Sequence, residues 1–416
     1  MKKISSLILI LFFLFACKKS VKDTDTPPPP PPLPPAPTIT QFALESNYVD
    51  SVVTITGTHF SANGDSDVVK FNGTVAIVKS ATTTQIIVTV PPGATSGKIS
   101  VRVGTQTATS ANDFTVLVRS NEWVLRAPMP NGLLKDAAAF AIGDKLYVGS
   151  GNKYPLGGST AEFWEYDTKT DSWTQKADYA GPANTNIGFS IGSKGYFLET
   201  SGSGSFSEYD PATDKWTQKK TLPNSGRANP IAFASATKGY YGLGTTGVVK
   251  KDLWEYDPST DTWTQKSDYP GLTTSDAASF VIGNYVYVGT GSSKSASATN
   301  LKEFYQYDFA NDSWTQKANF GGIPRYSAVG FSIDSKGYMG TGRATPGQWL
   351  QDIWEYDPLS DTWTQKADFT GGAAFDILGF SSTNGGYLGF GIGTNYMVAP
   401  GISSGVYFDL WRYFPQ

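Results

Sequence analysis

Apolar and polar residues alternate along residues 37–118, which predicts short β-strands separated by tight turns. Turn sequences such as Asn63-Gly64 and Asn72-Gly73 lie between the alternating segments. The predicted strands are Val52–Thr56, Val68–Phe71, Thr74–Val78, Gln85–Val90 and Lys98–Val103. Strands of this length at this spacing are typical of a small β-sandwich.

From residue 119 onwards a different pattern repeats. The stretch Glu-Tyr-Asp-x-x-x-Asp-x-Trp-Thr-Gln-Lys begins at Glu165, Glu208, Glu255 and Glu355, and a looser copy begins at Gln306. A tryptophan marks each copy, and one earlier tryptophan extends the series, which is Trp123, Trp173, Trp216, Trp263, Trp314 and Trp363. These tryptophans are separated by 50, 43, 47, 51 and 49 residues. A period of this size with four short strands per unit is typical of a β-propeller.

Counting the strands of each kind predicts six blades. A glycine-flanked aromatic strand occurs six times, around Tyr147, Tyr196, Tyr240, Tyr287, Tyr338 and Tyr387. Trp123 has no partner strand before it, whereas the strand Leu410–Tyr413 has no tryptophan strand after it. We therefore predict that residues Glu122–Ala127 complete the sixth blade and remove the exposed sheet edges. The predicted fold is all-β, with an N-terminal immunoglobulin-like β-sandwich followed by a six-bladed β-propeller closed by an N-terminal strand.

The repeated stretch has structural roles in this prediction. Its Trp and Tyr side chains fill the space between blades, its second Asp belongs to a hairpin, and its Glu and Lys form a pair across two strands. The sixth copy departs from the pattern, because Arg412 stands in the Glu position and Arg126 in the Lys position. The sequence offers no explanation for this pair of like charges.

Two family resemblances follow from these segments. The string V-T-I-T-G-T-H-F, with V-K-F-N-G, V-P-P-G-A-T-S-G-K-I-S-V-R-V and D-F-T-V after it, resembles an IPT/TIG immunoglobulin-like domain. The resemblance implies a spacer or docking platform. Residues 119–416 resemble the kelch family, but spaced glycines, as in Gly149-Ser150-Gly151, replace the usual pair. This difference favours the divergent bacterial kelch proteins related to the central domain of galactose oxidase.

The N-terminus has the pattern of a targeting segment. Two lysines precede a short apolar run that ends in Leu14-Phe15-Ala16-Cys17, which resembles the lipobox of a bacterial lipoprotein. We predict a signal peptide at 1–16, lipidation of Cys17, a proline-rich linker at 17–36, the immunoglobulin-like domain at 37–118 and the propeller at 119–416. Lys18 after the cysteine favours the outer membrane in that family. An ordinary secretory signal with a chance cysteine is the alternative.

Composition excludes several function classes. The chain contains one Cys and one His, which excludes internal disulfides, thiol–histidine catalysis and metal sites built from several imidazoles or thiolates. The copper chemistry of the galactose oxidase family is excluded for the same reason. The net charge of −3 provides no basic surface for nucleic acid. We expect no metal and no cofactor, although Asp65-Ser66-Asp67 leaves a calcium ion in the first domain as an open alternative.

Candidate site residues lie at fixed distances before each glycine-flanked tyrosine. Thirteen residues before it stand Arg227 and Arg325, in the register where the kelch resemblance implies side chains that point at the central pocket. Eleven residues before it stand three carboxylates and three other polar residues: Asp136, Thr185, Asn229, Asp276, Ser327 and Asp376. A loop after the fifth glycine-flanked strand adds Arg343 and Trp349. The alternative is that these residues cap turns and line a solvated channel.

These residues lead to a functional prediction. We expect a monomeric, lipid-anchored surface or periplasmic protein whose propeller rim binds a glycan or a protein partner. The predicted ligand-binding residues are Arg227, Asn229, Arg325, Arg343, Trp349 and Asp376, with Trp349 stacking on a sugar ring. The alternative is a metal-free sugar mutarotase that resembles the kelch sialic acid mutarotases, with Arg227, Arg325, Asp136 and Asp276 as its catalytic residues. Binding without catalysis is the prediction that we favour.

Overall fold

The computed structural model describes residues 34–130, 132–154, 158–183, 186–200, 202–223, 226–272, 275–293, 299–345, 347–393, 405–406 and 410–415. The predicted signal peptide, Cys17 and nearly all of the proline-rich linker lie outside these ranges. Within them, no helix has the length and apolar character needed to cross a membrane.

Residues 37–117 form a β-sandwich of two sheets. The first sheet contains, in order, Thr38–Phe42, Val52–Thr58, Gln85–Thr89 and Val78–Ala81. The second contains Ser46–Tyr48, Gln106–Leu117, Gly97–Val103, Asp67–Phe71 and Thr74–Val75, and a short 3₁₀ helix spans Gly64–Ser66. Apolar side chains from the inner faces, such as Ile55 and Val88 on one sheet and Val101 and Phe114 on the other, form a single buried core.

One predicted strand of this domain is wrong. The sequence predicted a continuous strand from Thr74 to Val78, but Thr74–Val75 pairs in the second sheet and Val78–Ala81 in the first. Ala76, between them, is buried and donates its N–H to the carbonyl of Val69 at 2.9 Å. The chain therefore crosses between sheets here, which alternation of residue types cannot distinguish from one strand.

The rest of the chain forms a six-bladed β-propeller, with one four-stranded antiparallel sheet per blade. Blade one contains Ala138–Ile142, Lys145–Tyr154, Ser159–Asp167 and Ser172–Lys176, with Leu133–Lys135 added along its second strand. Blade two contains Asn186–Ile191, Lys194–Glu199, Phe206–Asp210 and Lys215–Lys219. Blade three contains Ile231–Ala234, Gly239–Gly242, Leu253–Asp257 and Thr262–Lys266. Blade four contains Ala278–Ile282, Tyr285–Gly289, Phe304–Asp308 and Ser313–Gln316.

The last two blades complete the ring as the strand count predicted. Blade five contains Val329–Ile333, Lys336–Gly340, Ile353–Asp357 and Thr362–Gln365. Blade six contains Leu378–Ser382, Gly385–Gly389 and Trp411–Phe414, and its fourth strand is Glu122–Leu125, which pairs with Trp411–Phe414. The first strand of each blade contacts that of the next, and the first strand of blade six contacts that of blade one. Short strand pairs extend the loops of blades four to six. In blade four, Ser292–Ser293 pairs with Thr299–Asn300, and in blade five, Arg343–Ala344 pairs with Gln348–Trp349. In blade six, Ile392–Gly393 pairs with both Ala374–Phe375 and Gly405–Val406.

The propeller has its cores between blades rather than inside them. Each of six buried clusters draws its side chains from two neighbouring blades. Between blades four and five, for instance, Phe280 and Phe304 pack against Tyr356, with ring centroids 6.4 and 4.9 Å away. A sheet of four short strands is marginal alone, so each blade depends on its neighbours for a buried face.

The repeated Asp and Trp bind each blade to the one before it. In blade three, Asp261 Oδ1 accepts a hydrogen bond from the N–H of Lys220 at 3.0 Å, and Trp263 Nε1 donates to the carbonyl of that same residue at 3.0 Å. The Asp261 oxygen also accepts from the hydroxyl of the fully buried Tyr256 at 2.8 Å. We call this arrangement the Asp–Trp clamp, because it binds both backbone polar groups of one residue in the preceding blade.

The clamp occurs at all six interfaces between blades. Its acceptor, held residue and tryptophan are Asp171–Ala127–Trp173, Asp214–Ala177–Trp216, Asp261–Lys220–Trp263, Asp312–Ser267–Trp314, Asp361–Ala318–Trp363 and Asn121–Ala367–Trp123. Each acceptor has a positive φ, between 47° and 54°, which Asp and Asn tolerate better than most residues. The sequence assigned this Asp to a hairpin, and the structure adds its contact with the neighbouring blade.

The clamp predicts a difference between two substitutions at one position. Asp261→Gly keeps the positive φ but removes the acceptor, so the buried Tyr256 hydroxyl loses its partner and the free energy of unfolding should fall by about 2 kcal/mol. Asp261→Asn keeps an acceptor, as Asn121 does naturally, and should cost clearly less. Urea unfolding followed by tryptophan fluorescence measures both. Equal losses for the two variants would contradict the clamp.

Candidate functional site

Five polar residues surround one end of the central channel, each directly before the first strand of its blade. They have positive φ values of 54°, 53°, 59°, 51° and 52°, at Asp136, Asn229, Asp276, Ser327 and Asp376. Backbone hydrogen bonds link neighbours around the ring, from the N–H of Asp276 to the carbonyl of Asn229 and from the N–H of Ser327 to the carbonyl of Asp276. Thr185, the sixth position of this register, lies outside the described residues. We call the five described residues the mouth ring.

The mouth ring lines a cavity of about 760 Å³. Small and apolar residues of the first strands, among them Ala138, Ile187 and Leu378, form its inner wall. A volume of this size accommodates a small ligand such as one or two sugar rings. The predicted convergence of Asp136, Asn229, Asp276 and Asp376 at one end of the channel therefore appears in the structure as a concave polar site.

Hydrogen bonds position the ring side chains relative to each other. Asn229 Nδ2 donates to Asp276 Oδ1 at 2.5 Å, and the hydroxyl of Ser275 donates to Asp276 Oδ2 at 2.8 Å. On the side of blade one, Asn152 Nδ2 donates to Asp136 Oδ2 at 3.2 Å. The hydroxyl of Ser327 also donates to Asp276 Oδ1 at 3.4 Å, so both oxygens of Asp276 and one oxygen of Asp136 accept hydrogen bonds within the protein. A carboxylate oxygen can accept more than one hydrogen bond.

Asp376 differs from the other carboxyl groups of the ring. Although Asp376 is exposed at the cavity surface, the protein atoms around its carboxyl group raise its pKa by desolvation, and the nearby carboxylates of Asp276 and Asp136 raise it further. The nearby hydroxyl of Ser327 and the charge of Arg343 oppose the shift without cancelling it. The site therefore combines a carboxyl group that holds its proton to higher pH with two further carboxyl groups close by.

Arg227 and Arg325 are buried in ion pairs, and of the two only Arg227 contributes to the cavity wall. Their side chains are only 1% and 0% exposed, and each forms a two-pronged ion pair, Arg227 with Asp252 and Arg325 with Asp352. Each guanidinium also donates to a carbonyl of the loop after the second strand, that of Leu243 at 3.3 Å for Arg227. Because their donors are used within the protein, the expectation that they bind a ligand is corrected, and we assign them to holding the rim loops.

Comparison of the repeat copies in the sequence gives an indication of these ion pairs, which the arginines alone do not give. Arg occurs in the register of Arg227 only in blades three and five, and both blades have an Asp two residues before the tryptophan of the third strand, at Asp252 and Asp352. Blade six has Ala374 in the Arg register but also has an Asp, Asp409, at the second position. In blades one and four the latter position is Glu162 or Glu303, without the Arg. The coincidence of Arg and Asp in blades three and five could have indicated this contact, although the Asp recurs without the Arg in blade six.

Arg343 and Trp349 lie together on the rim beside Asp376. They face each other across a short hairpin, and the Arg343 guanidinium lies 4.7 Å from the ring centroid of Phe375 and 5.6 Å from that of Tyr326. Trp349 packs edge-to-face on Phe375 at 4.8 Å. Among the described residues, the Nε of Arg343 has no hydrogen-bond partner. Phe375 and Tyr326 were not predicted, although their positions next to Asp376 and Ser327 could have indicated them.

Comparison with known proteins identifies the first domain. Residues 37–116 form an IPT/TIG domain. For the propeller, a similar solved structure is that titled "Structure of YjhT", with a TM-score of 0.54 and 16% sequence identity over 68% of this chain and 95% of that one. A likeness at this identity supports the fold alone. No curated protein matches the chain.

The different surroundings of the rim arginines generate a prediction for stability. Arg325→Met should lower the free energy of unfolding by about 3 kcal/mol, because it leaves the carboxylate of Asp352 without its partner in a largely buried place. Arg343→Met should lower it by less than about 1 kcal/mol, the usual value of a partly exposed cation–π contact. Chemical denaturation of the two variants tests this, and a larger loss for Arg343→Met would contradict the assignment.

Proposed function

We propose that this protein is a binding protein whose channel mouth takes a neutral polyhydroxylated ligand, a glycan. The convergence of Asp136, Asn229, Asp276, Ser327 and Asp376 on one cavity carries the proposal. Sugar hydroxyls donate well to carboxylates and accept from amides and hydroxyls, and these side chains supply both kinds of group. The kelch assignment of the propeller, which rests on the sequence resemblance, is part of this proposal.

The rim supplies the apolar contact that sugar binding needs. Trp349 is partly exposed and is held against Phe375, and Arg343 lies next to both. Amphipathic aromatic side chains with a fixed orientation are suited to the faces of sugar rings, since little conformational freedom is lost on binding. A glycan that lies across the mouth would contact the ring with one end and Trp349 with the other.

Charge in the cavity favours a neutral sugar over an acidic one. Three carboxyl groups line it, and the guanidinium of Arg227 on its wall is neutralised by Asp252. A ligand carboxylate would lie near like charges in a partly desolvated place, which is unfavourable. Arg343 stands at the rim, outside this lining.

Attachment to the outer membrane through Cys17 is a further part of the proposal, and it rests on the sequence. A lipid on Cys17 would anchor the chain, and the proline-rich segment would hold the folded domains away from the membrane. We expect a monomer that binds no nucleic acid. A protein partner on the rim loops is the outcome that a negative glycan screen would favour.

Binding can be tested with matched charge variants. A glycan array with purified protein should give hits on neutral glycans, and titration calorimetry of a hit should show binding about tenfold or more weaker for Asp276→Asn, since a hydrogen bond to a charged group is lost. Trp349→Ala should weaken it as well. Asp334→Asn is the control, because Asp334 also has a positive φ but lies in the turn at the other end of blade five. An equal loss for the control would contradict binding at the mouth.

A sugar mutarotase is the second candidate, and the raised pKa of Asp376 favours it. Mutarotation needs an acid to protonate the ring oxygen as its bond to the anomeric carbon breaks and a base to remove the proton of the anomeric hydroxyl, and it needs no metal. A carboxyl group that keeps its proton suits the acid, and Asp136 or Asp276 would be the base. Arg227 and Arg325 are left out of this scheme, because both are buried in ion pairs.

The mutarotase candidate has its own test. Exchange between sugar anomers, measured by saturation-transfer NMR, should be accelerated by the native protein and not by Asp376→Asn. The acceleration should decline as the pH rises through the raised pKa of Asp376, because the proton donor is then lost. Asp334→Asn should keep full activity. Glycan binding without any acceleration would leave the protein a binding protein only.

A further inference from the structure

The like charges in blade six, which the sequence left unexplained, have a partner in the other domain. Asp50 of the IPT/TIG domain places its Oδ2 against Nη1 of Arg412 and 3.4 Å from Nη2 of Arg126. The side chains of Arg126, Asp50 and Arg412 are 7%, 9% and 9% exposed. One carboxylate from the first domain thus lies buried between the two arginines of the propeller.

The carboxylate of Asp50 takes the place of a glutamate that other blades contain at the position of Arg412. In blade five, Glu355 lies opposite Tyr338 on the neighbouring strand, accepts its hydroxyl proton in a hydrogen bond and lies 3.6 Å from Lys366. In blade six, Arg412 lies opposite Tyr387 in the same register. Four blades contain this Glu–Lys pair, with N–O distances of 3.6 to 4.0 Å. Blade six has cations in both positions and receives its carboxylate from outside.

Other contacts hold Asp50 in place. It lies in a turn between two strands of the IPT/TIG domain with φ of 67°, and its N–H donates to the carbonyl of Val90 at 2.9 Å. Arg119, in the segment between the domains, lies 4.1 Å from the ring centroid of Tyr48 and bonds to Glu122 at 2.9 Å. The carboxylate is therefore presented by an ordered turn, and the connecting segment is fixed at both ends.

We infer that the IPT/TIG domain is a structural component of the propeller, and that Asp50 completes the blade at which the ring closes. The fourth strand of that blade, Glu122–Leu125, directly follows the connecting segment. Without Asp50, two buried guanidinium groups would face each other at this closure. Unpaired buried charges are strongly destabilising, so the two domains unfold together and do not behave as a flexible spacer and its cargo.

Calorimetry of the full chain tests the inference. Asp50→Asn should lower the melting temperature of the propeller by on the order of 10 °C and separate one endotherm into two. Trypsin should then cleave faster after Arg119, whose side chain is held against Tyr48 in the native protein. Asp65→Asn is the matched control, since Asp65 is an exposed carboxylate in the same domain. A shift for Asp50→Asn no larger than that of the control would overturn the inference.

A rescue variant keeps the test decisive if Asp50→Asn fails to fold. Adding Arg412→Glu and Arg126→Lys restores within blade six the pair that the other blades contain. This triple variant should recover the melting temperature of the propeller, while cleavage after Arg119 remains fast because the domains are no longer joined. Recovery of both properties, or of neither, would overturn the role assigned to Asp50.

Discussion

The propeller depends on one interaction, the Asp–Trp clamp. Each clamp binds the N–H and the carbonyl of a single residue in the preceding blade, so it fixes both the distance and the rotation between neighbours. Since the acceptor also receives the hydroxyl of a buried tyrosine, as Asp261 does from Tyr256, the clamp connects the backbone of one blade to the aromatic core shared with the next. Packing of large side chains provides most of the stability, and the clamp determines the geometry in which they pack.

The clamp also explains how the ring closes. Asn121 and Trp123 bind Ala367 of blade five, and Asp171 and Trp173 of blade one bind Ala127, which follows the strand Glu122–Leu125. Blade six is therefore held on both sides by the same interaction as every other blade. Closure uses the same kind of contact as the other interfaces, and blade six differs in its two arginines, Arg126 and Arg412, and in the carboxylate that Asp50 supplies to them.

A uniform scaffold leaves the channel mouth free to vary. The clamps and the Glu–Lys pairs lie on the third and fourth strands, whereas the mouth ring lies before the first strand of each blade. The backbone at the ring repeats, with a positive φ at each described position, but the side chain changes between Asp, Asn and Ser. A repeated turn with changing side chains gives an asymmetric site on a symmetric frame, which is what recognition of an asymmetric ligand needs.

Local repetition made most of the fold predictable, and contacts between distant residues account for what was missed. The count of repeated strands was enough to assign Trp123 to the last blade, and the register before the glycine-flanked tyrosines, with the kelch resemblance, placed Asp136, Asp276 and Asp376 at one end of the channel. The ligand role expected of Arg325 did not hold, because its side chain is buried in an ion pair with Asp352. The two residues are 27 positions apart, so local sequence did not reveal the contact. The contact between Asp50 and Arg412 spans 362 residues and leaves no repeated pattern in the chain.

The contact with the IPT/TIG domain and the mouth ring lie at opposite ends of blade six. Asp376 lies just before the first strand of blade six, whereas Asn384, whose carbonyl accepts from Arg412, lies in the turn after that strand. The IPT/TIG domain thus joins the propeller through a group at the end opposite the mouth ring. If Cys17 carries the proposed lipid, the anchor enters through this domain, and a rigid junction would turn the cavity away from the membrane. With that anchor, the buried carboxylate of Asp50 would hold the cavity on the side of the propeller away from the IPT/TIG domain, which a flexible junction between the domains could not ensure.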